Sequence, residues 1–301
     1  MVKTFESHGK LMITGEYFVL RGAKSFLIPT KFSQEMKIEI IENNSIIDWT
    51  SYNEINKKWF SAKFCLPSLK IVGALTKEKL FLKKILDFIK LKRPKVFKDG
   101  TGLKIITNMD FRRNWGLGSS AMLINNLSRF YGLNPFEVSE NTTNSSGADI
   151  AASLIGEPIV YNLIESSPKY FKADFNPPFS KNLLFVFLNK KQSSNNEVKK
   201  FNSLDTCYAE INTISQITNE IINCKDINDF NYLIEKHESF ISKKIKKEPV
   251  KKKLFKDFEG SIKSLGAWGG DFILACGKNI SKSYFTKKGF NTSFSLDEIL
   301  K

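Results

Sequence analysis

Three glycine-rich stretches hold the residues best suited to chemistry on a phosphate. The densest is Asn114-Trp-Gly-Leu-Gly-Ser-Ser-Ala121. There Gly116 and Gly118 let the backbone N–H groups around Leu117 approach a ligand closely, and Ser119 and Ser120 open a helix. Free N–H groups and the positive end of a helix dipole suit an anion at that point. A serine hydroxyl adds an oxygen for a phosphate hydrogen bond or for magnesium. The stretch is not a Walker loop, because no Gly-Lys-Ser/Thr follows the glycines. Nor is it a dinucleotide fingerprint, since the third glycine is out of register. A helix-capping turn without a ligand uses the same residue types, so both meanings stay open for this segment taken alone.

The second stretch, Gly9-Lys-Leu-Met-Ile-Thr-Gly-Glu16, places Lys10 at one end of a strand and Glu16 past its turn. The third, Ser264-Leu-Gly-Ala-Trp-Gly-Gly-Asp271, has Gly266, Ala267, Gly269 and Gly270 in a loop leading into an apolar run. Loops of this kind line ligands, although hairpin turns need glycine as well. A further segment, Ser145-Ser-Gly-Ala-Asp-Ile-Ala151, carries Asp149 just after a glycine, where an isolated aspartate serves as a helix cap or a surface group.

The elements that must position these residues are readable from periodicity. Leu11, Ile13, Phe18 and Leu20 alternate around Gly15 and suggest two short strands meeting there, and Met36–Ile41 suggests another. Residues Leu80–Leu91 have helical spacing, with Leu82, Ile85, Leu86 and Ile89 on one side. Strand character returns at Gly102–Ile106, and Leu123, Leu127, Phe130 and Tyr131 mark the helix after the glycine turn. In the second half an apolar strand spans Leu183–Leu188, helices are expected over Leu204–Ile222 and Phe230–Lys246, and a strand over Phe272–Cys276. Another helix is expected to carry Leu254, Phe258, Ile262 and Leu265 on its face. Helices mixed with strands in both halves indicate an α+β or α/β sandwich of layers. The proline pair at Pro177–Pro178 sets an expected division into residues 1–175 and 176–301.

A chain of 301 residues, 42% of them hydrophobic, can bury a large core. No apolar run approaches the roughly 20 residues that cross a bilayer, and the opening residues lack a secretory hydrophobic stretch, so a cytoplasmic protein is expected. Cys65, Cys207, Cys224 and Cys276 are widely spaced and read as buried or half-buried thiols. The formal charge of +15 suits a polyanionic ligand, a nucleic acid or an anionic surface, and does not choose among them. Runs such as Lys243, Lys244, Lys246, Lys247 and Lys251–Lys253 read most simply as solvated surface.

Taken together and in order, the three glycine stretches resemble the motifs of the kinase superfamily named for galactokinase, homoserine kinase, mevalonate kinase and phosphomevalonate kinase. They are similar to its GK…GE opening, its PxxxGLGSSAA phosphate loop and its KxTGAGGGG loop, and Ser146–Asp149 resembles its SGxD segment. The overall flavour is closest to a mevalonate-kinase-like bacterial subgroup. The resemblance implies an N-terminal domain related to ribosomal protein S5, a ferredoxin-like C-terminal domain, and an active site between them. It implies that Gly116, Leu117, Gly118, Ser119 and Ser120 cradle the phosphates of ATP. Ser120 would also contact Mg2+, with Glu137 or Glu140 as the acidic metal ligand. Asp149 would face the acceptor hydroxyl as a base or an orienting group, Lys10 would sit beside it, and Glu16, Gly266, Ala267, Gly269 and Gly270 would line the substrate or its loop.

The implied activity is transfer of the γ-phosphate of ATP to the hydroxyl of a small alcohol, mevalonate or a phosphomevalonate-like acceptor. A monomer or a homodimer fits, and neither membrane nor nucleic acid is expected as a partner. The positive charge favours an anionic acceptor, with Arg21, Arg112 or Arg113 as candidate anchors. A diphosphomevalonate decarboxylase is the alternative within the superfamily, and a basic nucleic-acid-binding protein the alternative outside it. Departures from the motifs are Arg112, Arg113 and Asn114 where a proline precedes the phosphate loop, His8 in place of a proline, and Trp268 and Asp271 in place of glycines.

Overall fold

The computed structural model describes residues 2–98, 100–143, 145–192 and 194–301. Strand β1 (Val2–Thr14) ends just before Gly15, as the alternation suggests. The short strand expected over Phe18 and Leu20 is instead a 3-10 turn, Phe18–Arg21, and β2 (Ser25–Glu42) begins only beyond it. Gly22, in the left-handed region, closes that turn by donating its N–H to the carbonyls of Phe18 and Val19. β2 contains the strand expected over Met36–Ile41.

Two compact units form around these long strands. The first takes residues up to 9, 32–113 and 118–154, and the second takes 10–31, 114–117 and 155–301. The first unit contains β3 (Asn44–Tyr52), β4 (Lys58–Cys65), β5 (Lys70–Ile71), α1 (Lys77–Lys92), β6 (Thr101–Met109), α2 (Ser119–Tyr131), α3 (Pro135–Thr142) and α4 (Ala148–Ile155). Its strands run in the order β5-β4-β3-β6-β2. β2 pairs antiparallel with β6 from Gln34 opposite Met109 to Glu42 opposite Thr101, and β3 is parallel to β6. The helical spacing of Leu82, Ile85, Leu86 and Ile89 places them all in the core, with Ile124 of α2 and Ile150 of α4.

The second unit contains β7 (Ile159–Ile164), β8 (Ser167–Lys172), β9 (Leu183–Phe187), α5 (Ser194–Asn202), α6 (Tyr208–Asn223), α7 (Ile227–Ile245), α8 (Val250–Leu254), β10 (Ser261–Ser264), β11 (Phe272–Cys276), α9 (Lys282–Lys287), β12 (Ser293–Ser295) and α10 (Leu296–Ile299). β7 pairs with Ser25–Leu27 of β2 and with β8. A second, antiparallel sheet has the order β10-β11-β9-β12. Phe175, at the expected division of the chain, is buried in this unit against Phe26.

The helix expected to carry Leu254, Phe258, Ile262 and Leu265 is corrected. α8 stops at Leu254, and Ser261–Ser264 is a strand paired with β11 from Ser261 opposite Cys276 to Ser264 opposite Ile273. Every residue of β10 is buried, so no polar alternation marks it as a strand. Phe255, Phe258 and Ile262 fill one core with Phe285, and their spacing imitates a helix. The thiol expectation is corrected in one place, since Cys207 is exposed. No helix among the described residues is long and apolar enough to cross a membrane.

Candidate active site

The Asn114–Leu117 turn is held to the second unit by an aromatic anchor. The Trp115 ring meets Phe187 of β9, Phe272 of β11 and Phe294 of β12, with centroids 6.4, 6.0 and 5.4 Å away. Edge-on and tilted packing of this kind adds to the area the ring buries. Gly116 and Gly118 then take left-handed φ values of 71° and 87°, and α2 begins. No side chain caps α2, whose first bonds run from the N–H groups of Ala121 and Met122 to the Gly118 carbonyl at 2.9 and 3.1 Å. The N–H groups of Ser119 and Ser120 precede those bonds and are the helix end best placed for an anion. The Lys10 N–H donates to the Leu117 carbonyl at 3.0 Å, which fixes the turn against the end of β1. Lys10 itself is buried.

The loop between β10 and β11 meets the same turn. A β-carbon placed on Gly116 would lie 2.6 Å from the carboxyl carbon of Asp271 and 2.7 and 3.0 Å from its two oxygens. Asp271 is held there by three bonds. Its N–H donates to the Lys190 carbonyl at 2.6 Å, its carbonyl accepts from Leu188 at 2.8 Å, and its Oδ1 accepts from the Gln192 N–H at 3.1 Å. Burial pushes the Asp271 carboxyl up, against the Gln192 hydrogen bond and the charges of Lys10 and Lys191. Gly270 has no room for a side chain, because a β-carbon there would sit 2.5 Å from the Lys190 carbonyl. Gly266 faces open space.

Glu16 links the second stretch to the third. Its carboxylate forms an ion pair with Lys263 of β10, and both side chains are withdrawn from water. The indole N–H of Trp268 donates to Glu16 Oε1 at 3.4 Å, and the Trp268 backbone N–H donates to the Tyr17 hydroxyl at 3.1 Å. Behind the pair, His237 Nε2 accepts the Gly15 N–H at 3.1 Å and stands 3.6 Å from Glu16 Oε2. Glu238 accepts from the N–H and hydroxyl of Ser264 at about the same range, 3.0 to 3.2 Å. Burial raises Glu16 against the pull of Lys263, pushes Glu238 up to about 8, and holds His237 well below 6.5. Within the second unit, therefore, the Lys10–Glu16, Asn114–Leu117 and Ser264–Asp271 portions of the three glycine stretches meet. The sequence reading did not single out Lys263, His237 or Glu238. Lys263 alone had a signal, the lysine that opens the KxTGAGGGG pattern.

Asp149 and the serines lie in the first unit. Asp149 is half-buried in the first turn of α4, just after Gly147 with φ 84°. The Asn125 side chain of α2 donates to the Ile150 carbonyl at 3.1 Å, so α2 and the start of α4 are joined. Ser119 is half-buried and Ser120 is exposed. On α3, Glu137 is 2.5 Å from the Lys92 ammonium and Glu140 is exposed.

Among the described residues no group of three or more His, Cys, Asp or Glu side chains is arranged to hold a metal ion. Mg2+ does not require such a group, since it keeps several waters and leans on nucleotide phosphates rather than on a protein cage. The arginines considered as anchors have other occupations. Arg21 donates to the Asn202 carbonyl at 3.1 Å, Arg112 lies 3.9 Å from Glu54, and Arg113 stacks 3.5 Å over the Trp59 ring. Several lysines of the basic runs are likewise paired, Lys244 with Glu210 at 2.7 Å and Lys251 with Glu235 at 3.4 Å.

No family model matches the chain, and no curated protein matches it in sequence. Solved structures match its fold over nearly its whole length. The mevalonate kinase of Methanococcus jannaschii has a TM-score of 0.69 at 18% identity, covering 98% of this chain and 97% of that one. The Streptococcus pneumoniae phosphomevalonate kinase in complex with phosphomevalonate and AMPPNP has a TM-score of 0.70 at 13% identity, covering 97% and 99%. The Lactococcus lactis galactokinase complexed with galactose has a TM-score of 0.68 at 12% identity, covering 98% and 92%. The chain has the α+β fold that these mevalonate kinase, phosphomevalonate kinase and galactokinase structures share.

Proposed function

We propose that this chain is an ATP-dependent kinase that phosphorylates the hydroxyl of a small alcohol, mevalonate or a phosphomevalonate-like molecule. The observation that carries the proposal is the start of α2, which follows two left-handed glycines and has no side-chain cap. A helix end of that construction suits the anionic tail of a nucleotide. The fold likeness supports the same assignment, and one of the similar structures holds phosphomevalonate and AMPPNP.

In this proposal the amides from Gly116 to Ser120 align the phosphates. The acceptor oxygen attacks the γ-phosphorus, its bond to the bridging oxygen breaks, and ADP leaves with that electron pair. Asp149 accepts or orients the hydroxyl proton, and the Lys10 ammonium supplies positive charge to the same chemistry. Mg2+ would screen the phosphate charge, with the Ser120 hydroxyl as a protein oxygen for it. Glu137 is the weaker acidic candidate because it is paired with Lys92, which leaves Glu140.

The test is incubation with Mg2+ and ATP over a panel of small alcohols, mevalonate and phosphomevalonate among them, with products identified by mass spectrometry. A phosphorylated alcohol is expected, without release of carbon dioxide. Tight ATP binding with no phosphorylated product from any acceptor would refute the proposal.

A further inference from the structure

Asp271 places a carboxylate on the turn that a nucleotide would have to occupy. It fills the side of Gly116 where a β-carbon would project, with its carboxyl carbon 2.6 Å from that position. The placement is built rather than incidental. Asp271 holds a left-handed φ of 55°, and its N–H, carbonyl and Oδ1 are bonded to Lys190, Leu188 and Gln192. The side chain therefore cannot swing away without giving up the Gln192 bond. Lys10 and Lys191 are close enough to act on its charge.

We propose that Asp271 is a specificity-determining residue of the phosphate turn, which makes the turn accept a nucleotide as its magnesium complex and reject the free polyanion. The proposal rests on the kinase assignment above. Its physical basis is that a fixed carboxylate beside the Gly116 amide repels an uncompensated phosphate, and a divalent cation on the phosphates removes that repulsion. Even at the dielectric of water, two unit charges about 4 Å apart interact by roughly fivefold in a binding constant, and a partly buried pair interacts more strongly.

The test is calorimetric titration of the full chain with ATP, once with excess Mg2+ and once with EDTA, for wild type, Asp271→Asn and Asp271→Gly. Asparagine keeps the Oδ1 acceptor for Gln192, glycine gives that bond up, and both tolerate the left-handed backbone, so both variants keep the main-chain bonds to Lys190 and Leu188. Wild type is expected to bind free ATP at least about fivefold more weakly than Mg-ATP. Both variants should narrow that ratio by about fivefold or more, chiefly by gaining affinity for free ATP. A ratio unchanged in both variants overturns the role of Asp271 and leaves the kinase assignment standing. Failure of wild type and both variants to bind either form overturns the two together.

Discussion

Lys263 and Glu16 form an ion pair in the interior of the second unit, with side-chain exposures of 0% and 2%. The pair ties β10, which leads into the Gly266–Asp271 loop, to the residue that follows the Gly15 turn. Removing one partner leaves a charge buried without its counter-ion, which costs about 3 to 5 kcal/mol. Lys263→Met is expected to lower stability by that amount in urea unfolding, and the Glu16→Gln, Lys263→Met double variant to recover a large part of it. A double-variant loss equal to the sum of the losses in Lys263→Met and Glu16→Gln alone would show that the pair is not coupled.

Glu238 and His237 make stability depend on pH in opposite senses. The carboxyl of Glu238 is pushed from 4.5 up to about 8 by burial. Between those values the folded protein keeps a proton that the unfolded chain has released. Its contribution is therefore full below about 4.5 and is lost as the pH rises through about 8. His237 is held well below 6.5 by burial and by Lys263, so its contribution is present above 6.5 and is lost as the pH falls. Unfolding midpoints measured from about pH 5 to about 9 should be nearly level in wild type below 6.5, where the two opposite slopes offset each other, and decline from there to about 8. Glu238→Gln should flatten that decline and uncover the rise toward 6.5 that His237 supplies.

Trp115 holds the Asn114–Leu117 turn to the second sheet through Phe187, Phe272 and Phe294. Trp115→Ala removes a large buried ring and is expected to cost about 3 to 5 kcal/mol. Trp115→Phe keeps an apolar ring and should lose much less. If the kinase assignment holds, the alanine variant should also raise the KM for ATP, because the Gly116 amide loses its support.

Gly116 is confined both by its backbone and by Asp271. Gly116→Ala is expected to destabilise by about 1 to 2 kcal/mol from the left-handed φ alone, and further from collision with the Asp271 carboxylate. Asp271→Gly in the same chain should relieve only the second share. A double-mutant cycle in urea reads this as a coupling between the two positions, and strict additivity would disprove the contact.

Asp149 and Lys10 carry the proposed chemistry. Asp149→Asn and Lys10→Met are each expected to lower kcat by at least about 100-fold, the scale of a lost proton-transfer group. Circular dichroism should confirm that both variants stay folded. A kcat within a few-fold of wild type in either would exclude that residue from the reaction.

Much of this was legible in the order of residues. Gly-Leu-Gly-Ser-Ser before an amphipathic stripe marks a glycine turn and helix start, because positive φ and uncapped amides are local properties of a few consecutive residues. The helices holding Leu82 to Ile89 and Leu127 to Tyr131 followed from side-chain spacing for the same reason. Where local pattern misled, burial was the cause. β10 is buried throughout, so its strand period is invisible, and Phe18 and Val19 are buried on a 3-10 turn that borrows the look of a strand.

The sequence alone determined the glycine turn that opens α2, the mixing of helices with strands and the three glycine stretches. Tertiary structure alone decided what those stretches touch. The contact of Asp271 with Gly116 spans 155 positions, and the pairing of Lys263 with Glu16 is separated by 247. Such contacts are selected by the burial free energy of the whole chain, which no local window contains. A lysine such as Lys263 reads as a solvated charge until the fold removes its water and supplies a carboxylate in exchange.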